Sequence, residues 1–248
     1  VDANGYDITA RDIYIGRFNN VGQILDRGKI TATRNLLVSR GTFALEAIDV
    51  VTNQVGADNG GVLDLHTNTS SLRASIATGG RINTVVTSNL TTYAGVFGQG
   101  SLLNLGANLV LSEDLELQGT GANAATVNAN GNDITARDLY LGRFGGAGAI
   151  LNRGKITVTR NLDVSNNTFA LNAADSVANR LSTSSGGVLD LHANTVTQRA
   201  VATSGGRINT VATSNLTTSA GSFDQGSLLN LGANLVLSQD LEIRGTGT

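Results

Sequence analysis

The residues best equipped for chemistry in this sequence are two sets of one aspartate, one histidine and two arginines. In Val62-Leu63-Asp64-Leu65-His66 apolar and polar residues alternate, which puts Asp64 and His66 on one face of a strand and Leu63 and Leu65 on the other. Arg73 and Arg81 follow in the same and the next segment. A carboxylate, an imidazole and a guanidinium sharing a face could form an acid–base site or bind an acidic sugar. The set returns as Asp190, His192, Arg199 and Arg207. Against it stands the commoner outcome, a solvated polar face, together with turns too short to wall a cleft. Glu113, Asp114 and Glu116 are local neighbours rather than opposed carboxylates, and Glu113 becomes Gln239 in the second half. Two equivalent histidines and no cysteine leave no zinc-ligand set within one half, and no glycine-rich phosphate loop leads into a helix. The sequence therefore assigns no catalytic, cofactor-binding or metal-binding residue, and it calls for no cofactor.

The elements that would position such residues are set by repetition. A shift of 126 residues aligns Val1–Ala122 with Val127–Thr248 without a gap, and 83 of the 122 pairs are identical. Gly60–His66 returns unchanged as Gly186–His192, and Ser101–Ser112 as Ser227–Ser238. The chain thus divides into two units, 1–126 and 127–248, in one rod with no linker. Glycine-rich corners cut each unit into six segments of 19 to 24 residues. Within a segment the apolar residues alternate at period two, and no stretch carries the 3.6-residue period of a helix. Ile8 and Ala10 face inward, then Ile13 and Ile15 after a kink at Asp12; Thr9, Arg11 and Tyr14 face outward. Each segment reads as about three short strands, the size of one coil of a parallel β-helix. The expected fold is an all-β parallel β-solenoid with about 20 residues per coil and six coils per unit.

Differences between the units sharpen the facing. Positions read as inward exchange among apolar residues, as in Ile13 to Leu139, Ile15 to Leu141 and Ala32 to Val158. Positions read as outward change freely, as in Leu37 to Asp163 and Glu46 to Asn172. The run Gln54–Asn59 shares nothing with Arg180–Ser185, which places it on an exposed turn or face. Asn35, Asn89 and Asn108, with Asn161, Asn215 and Asn234, recur at corners where stacking could form amide ladders or where Asn simply suits a turn. An outward column of Thr9, Thr31, Val51, Ser70, Thr91 and Val110 is too interrupted for the regular threonine array of an ice-binding face.

Composition narrows the function classes. The 248 residues include 31 Gly and no Pro, Cys, Met or Trp, with a net charge of −2 and no basic run. A nucleic-acid groove needs clustered Lys/Arg and stacking aromatics, so no nucleic-acid partner is expected. No apolar stretch approaches the length of a membrane span. Both ends match interior positions of the repeat, which leads to the expectation of a longer array or of end-to-end stacking.

Gly60-Gly-Val-Leu-Asp-Leu, Gly79-Gly-Arg-Ile-Asn-Thr and Gln99-Gly-Ser-Leu-Leu-Asn-Leu-Gly-Ala-Asn-Leu, with their copies, give the chain its family resemblance. It resembles the shafts of bacterial filamentous haemagglutinin-like exoproteins and autotransporter passengers. That resemblance implies a right-handed β-helix outside the cell, serving adhesion or biofilm formation. The expected role is a structural segment of a cell-surface fibre or adhesin, partnered by itself, end to end through stacked coils and also laterally, and by another cell or surface; Tyr14 and Tyr140, on one face, are either lateral contacts or isolated surface aromatics. A carbohydrate- or ice-binding module is the alternative, and a polysaccharide-active enzyme the third reading. The near-exact 126-residue repeat suits a uniform fibre more than a shaft with a specialised tip.

Overall fold

The computed structural model describes residues 1–18, 20–120 and 123–245. They form a parallel β-solenoid of about 12 turns with almost no helix, as the periodicity predicts. Most coils send one long, bent strand, and the others two short ones such as Val50–Val51 and Gln54–Ala57, into a sheet that runs the length of the rod, ordered from Ile8–Ile15 through Ile134–Leu141 to Leu235–Leu237. A short strand on the opposite side of most coils, such as Val62–Leu65 or Arg81–Thr84, joins a second set of ladders. Successive coils are offset by 19 residues at Gln54↔Arg73 and by 25 at Leu109↔Ile134, and six offsets restore the same position. Pairing continues across the unit junction, where Leu115↔Leu139 and Leu103↔Val127 are in register.

The bend in the long strand has a local cause. Ala10 pairs with Ala32, but Asp12 pairs with Asn35, so the second coil holds one extra residue at the bend. Such a bulge lets Thr33, Arg34 and Asn35 all face outward before the inward alternation resumes at Leu36. One strand therefore supplies two faces, and with the short strand the coil has three. Turns between faces use paired positive φ, as at Asn59 (45°) with Gly60 (79°) and Ser185 (49°) with Gly186 (75°). A primed turn of this kind favours Asn, Asp or Ser followed by Gly.

The core is a stack of inward aliphatic side chains one coil apart, among them Leu36, Val55, Ala74, Leu115, Leu139 and Leu162. Gly95 interrupts that column because a side chain there would press on the Phe97 ring and on Leu111. Gly221 makes the same room for Phe223. Two expectations from the sequence need correction. Gln54–Asn59 is not an exposed turn: Gln54–Ala57 is a strand with Val55 and Ala57 in the core, matched by Leu181 and Thr183 in Arg180–Ser184. In the outward column Thr31 pairs with Val50, while Val51 pairs with Ala32 and is buried. No helix among the described residues is long and apolar enough to cross a membrane.

Candidate functional site

The Asp64 and His66 side chains do face outward together, but they serve different neighbours. Asp64 Oδ1 accepts a hydrogen bond from Asn83 Nδ2 at 2.7 Å, and Asp190 accepts the same bond from Asn209. Asp64, Asn83, Asn104 and Asn128 occupy successive rungs of the short-strand ladder. Asn128 Nδ2 donates to Asn104 Oδ1 at 3.0 Å, and Asn152 Nδ2 to Asn128 Oδ1 at 3.1 Å. Asp64 is thus the acidic start of a polar ladder. His66 Nδ1 lies 2.9 Å from Glu46 Oε1 in the coil below, a pair absent beside His192 because Glu46 is Asn172 there. Arg81 lies on the same ladder, whereas Arg73 lies on the long-strand sheet. The four side chains do not converge on one point.

The corner asparagines follow two patterns. Asn53 Nδ2 donates to Asn35 Oδ1 and Asn179 Nδ2 to Asn161 Oδ1, both at 3.0 Å, which are amide-to-amide rungs. Asn108 and Asn215 instead use Oδ1 to accept the backbone N–H of Asp133 and Asn234 in the next coil. Asn89 is itself the donor, through its backbone, to Asn68 Oδ1.

Two charged clusters were not picked out by the sequence reading. The first is a clamp that appears once per unit, where the short-strand ladder breaks between Gly148–Leu151 and Thr168–Leu171. Arg153 Nη1 and Nη2 donate to Asp175 Oδ1 and Oδ2 at 2.7 and 2.6 Å, and Nη2 also donates to the Ala170 carbonyl. Asp175 then accepts the backbone N–H groups of Ile156 and Asn172. The guanidinium lies 5.2 Å from the Phe169 ring centroid. Arg27, Asp49, Ala44 and Phe43 repeat every contact in the first unit. Both carboxylates are about 1% exposed, so a fully satisfied ion pair links the coils on the side where the short-strand ladder is broken, while the long-strand sheet joins them on the other.

The second cluster sits on the bend at the unit junction. Asp114, in the last coil of the first unit, pairs in register with Asp138, in the first coil of the second. Asp138 is sealed from solvent and accepts from the Arg160 guanidinium, from Arg137 Nε at 3.2 Å and from the Asn161 backbone N–H at 3.0 Å. Arg137 also reaches Asp114 Oδ1 at 3.1 Å and forms an ion pair with Glu113. Burial, then the hydrogen bond and charge of Asp138, push the Asp114 carboxyl above its ordinary value. Burial alone would lift Asp138 too, but hydrogen bonds from Arg160, Asp114 and Arg137 overcome it and hold that carboxyl low. Burial, followed by the charges of Asp138 and Asp114, raises the nearby Tyr140 hydroxyl. The opposite shifts make Asp138 the ionised partner, held by two arginines, while Asp114 keeps its proton to higher pH than a free carboxyl. Its chemistry is cohesion between coils, since Asp138 offers no surface to a substrate. The signal that could have found it is the retention of Asp12 with Arg34, and of Asp114, as Asp138 with Arg160 and Asp240.

Fold and charged joints together define a tandem-repeat β-solenoid. No family model matches the chain, and no curated protein or solved structure does so.

Proposed function

We propose that this chain is a rod-forming structural segment of a bacterial cell-surface fibre or adhesin, of the filamentous haemagglutinin-like kind. The observation that carries this reading is the junction. Strand pairing, the core column and a corner ion network all pass from the first unit into the second without interruption. A unit that tiles onto itself in this way makes length additive, because each coil interface contributes a similar stabilisation. Its partners are then its own neighbouring repeats and, at the surface of the fibre, another cell or a solid support. In this reading the Asp64 and His66 face is a polar flank with no reaction to perform.

Chains joined from one, two and three copies of the whole sequence test the proposal by cryo-electron microscopy. With residues 123–126 repeated at each joint to keep the 126-residue period, and coils spaced at about 4.8 Å, each added copy brings two units and extends the rod by about 58 Å. Straight rods whose length grows in those steps support the fibre reading, and compact or branched particles overturn it. Antibody against the chain applied to intact producing cells tests location. Labelling only after the cells are opened would remove the extracellular part of the proposal.

A further inference from the structure

Each unit carries one feature that the rod itself does not use. Of the three phenylalanines per unit, Phe43 and Phe97, with Phe169 and Phe223, are buried. The third, Phe18 in one unit and Phe144 in the other, is 83% and 82% exposed. Both have positive φ, 60° and 59°, whereas every other such residue except glycine among the described residues is Asn, Asp, Ser or Thr. A bulky side chain in that region is strained, and strain of this kind concentrates where backbone presents a group for contact. The ring is also braced. The Arg17 guanidinium lies 4.2 Å from the Tyr14 ring centroid and 5.4 Å from that of Phe18. Arg143 repeats this between Tyr140 and Phe144 at 4.2 and 5.3 Å. A rigid aromatic–arginine–aromatic knob thus stands at the end of a long strand once every six coils, about 29 Å apart along the rod.

The surface beside the knob differs between units in a complementary way. In the first unit Arg17, Phe18, Leu37, Arg40 and Asp58 line a shallow groove. In the second unit Asp163 replaces Leu37, Asn166 replaces Arg40 and Ser184 replaces Asp58, while Arg143 is kept and ion-pairs with Glu116. Tyr14 stands beside Leu37 in one register and Tyr140 beside Asp163 in the other. Setting first unit against first unit would bring Arg17 and Arg40 toward copies of themselves. Setting first against second places them opposite a flank where Glu116 and Asp163 outweigh Arg143, and brings Phe144 toward Leu37.

We propose that the knobs join two copies of this chain side by side and antiparallel, first unit against second, through two equivalent contacts. A two-fold axis between the units satisfies both contacts at once, since residue i meets j wherever j meets i. Only another copy of this repeat has the matching axial spacing, so both knobs engage together and reinforce each other. The contact lies on the flank and goes beyond the rod reading, which concerns stacking along the axis.

Sedimentation and small-angle scattering on the full chain test it. At about 100 µM, the range where weak specific interfaces fill, the chain should be a dimer of doubled mass and unchanged length. Phe18→Asn with Phe144→Asn keeps a residue that tolerates positive φ, so it should fold with an unchanged circular dichroism spectrum and be monomeric. Asp163→Lys should weaken the dimer by about tenfold or more. A wild-type monomer at that concentration, or a dimer indifferent to both changes, overturns the proposal. Phe-dependent binding of a monomer to a glycan array also overturns it, by assigning the knob to carbohydrate. End-to-end stacking would show as particles of growing length that persist in the double variant, which keeps the fate of the rod reading separate.

Discussion

The two units share most of their residues, yet the same corner behaves differently in each. Asp12 of the first unit accepts from Arg34 and Asn35 and keeps some contact with solvent. Its counterpart Asp138 accepts from Arg160 and Arg137, pairs in register with Asp114 of the coil before it, and has no solvent contact. The residues are alike; the neighbours are not. By contrast the Arg27–Asp49 and Arg153–Asp175 clamps have the same contacts in both units, because both partners lie inside one unit. In a solenoid a charge network belongs to a pair of adjacent coils, and its strength depends on which coils adjoin.

The largest effects should come from the clamps, and they should be equal. Removing one partner of a buried, fully hydrogen-bonded ion pair costs about 3–5 kcal/mol, so Arg27→Ala and Arg153→Ala should each lower the urea midpoint strongly and alike. Replacing both partners, Arg153→Met with Asp175→Leu, should cost far less because no charge is left unpaired. A clear inequality between the two arginine variants would mean that the units do not use the clamp in the same way.

The corner should break the symmetry. Asp138→Ala takes the shared acceptor from Arg160 and Arg137, which are partly open to water, and leaves the Asn161 backbone N–H unsatisfied, at a cost of about 1–3 kcal/mol. Asp12→Ala removes a carboxylate open to water and should cost distinctly less. Hydrogen exchange would localise the difference, with protection lost at Ile134–Leu141 in the first variant and little changed at Ile8–Ile15 in the second. Equal losses would show that the preceding coil adds nothing to the network.

A gain is expected at Thr183. Its hydroxyl is buried with no hydrogen-bond partner, and its counterpart in the first unit is Ala57. Thr183→Val keeps the volume and removes the unsatisfied group, which should stabilise by about 1 kcal/mol. No gain in the midpoint would indicate that the hydroxyl has found a partner. The same position explains one misreading of the sequence. Ala57 stacks on Ile76, whereas Thr183 stacks on Ala202, so bulk lost from one coil is partly restored in the next. Variation between copies at Gln54–Asn59 therefore reflects repacking between coils rather than exposure.

The strand faces, the coil length and most of the core were legible because period-two alternation and the 126-residue shift are properties of the linear sequence. The charged joints were not. Arg27 and Asp49 lie 22 residues apart and Asp114 and Asp138 lie 24 apart, and such spacings mean contact only once the local coil offset is known. That offset varies from 19 to 25 residues with the bulge and the turns, so no fixed spacing marks a rung. Asp64, His66 and Arg73 show the converse. Nearness in sequence suggested a set, but the bend carried Arg73 onto another sheet.

The smallest effect is the most specific to the junction. Asp114 has a carboxyl raised above its ordinary value of 3.8, first by burial and then by Asp138, so its neutral form favours the fold. That contribution is complete below 3.8 and is lost as pH rises through the raised value. Asp138 is lowered, so its ionised form favours the fold; its contribution is present above 3.8 and lost as pH falls through the lowered value. Between these limits the pair keeps one proton, and stability should pass through a shallow maximum. Asp12, lowered mainly by its hydrogen bond from Arg34, adds only to the loss on the acid side. Asp114→Asn fixes the neutral state, supplies a donor to Asp138 and should remove the decline on the alkaline side. Because Asp114 is partly open to water, the gain at pH 7 should stay under about 1 kcal/mol. Denaturation midpoints from pH 3 to pH 8 give the comparison. A variant curve parallel to that of the wild type throughout would show that the two carboxyls titrate independently, and that the junction holds through its arginines alone.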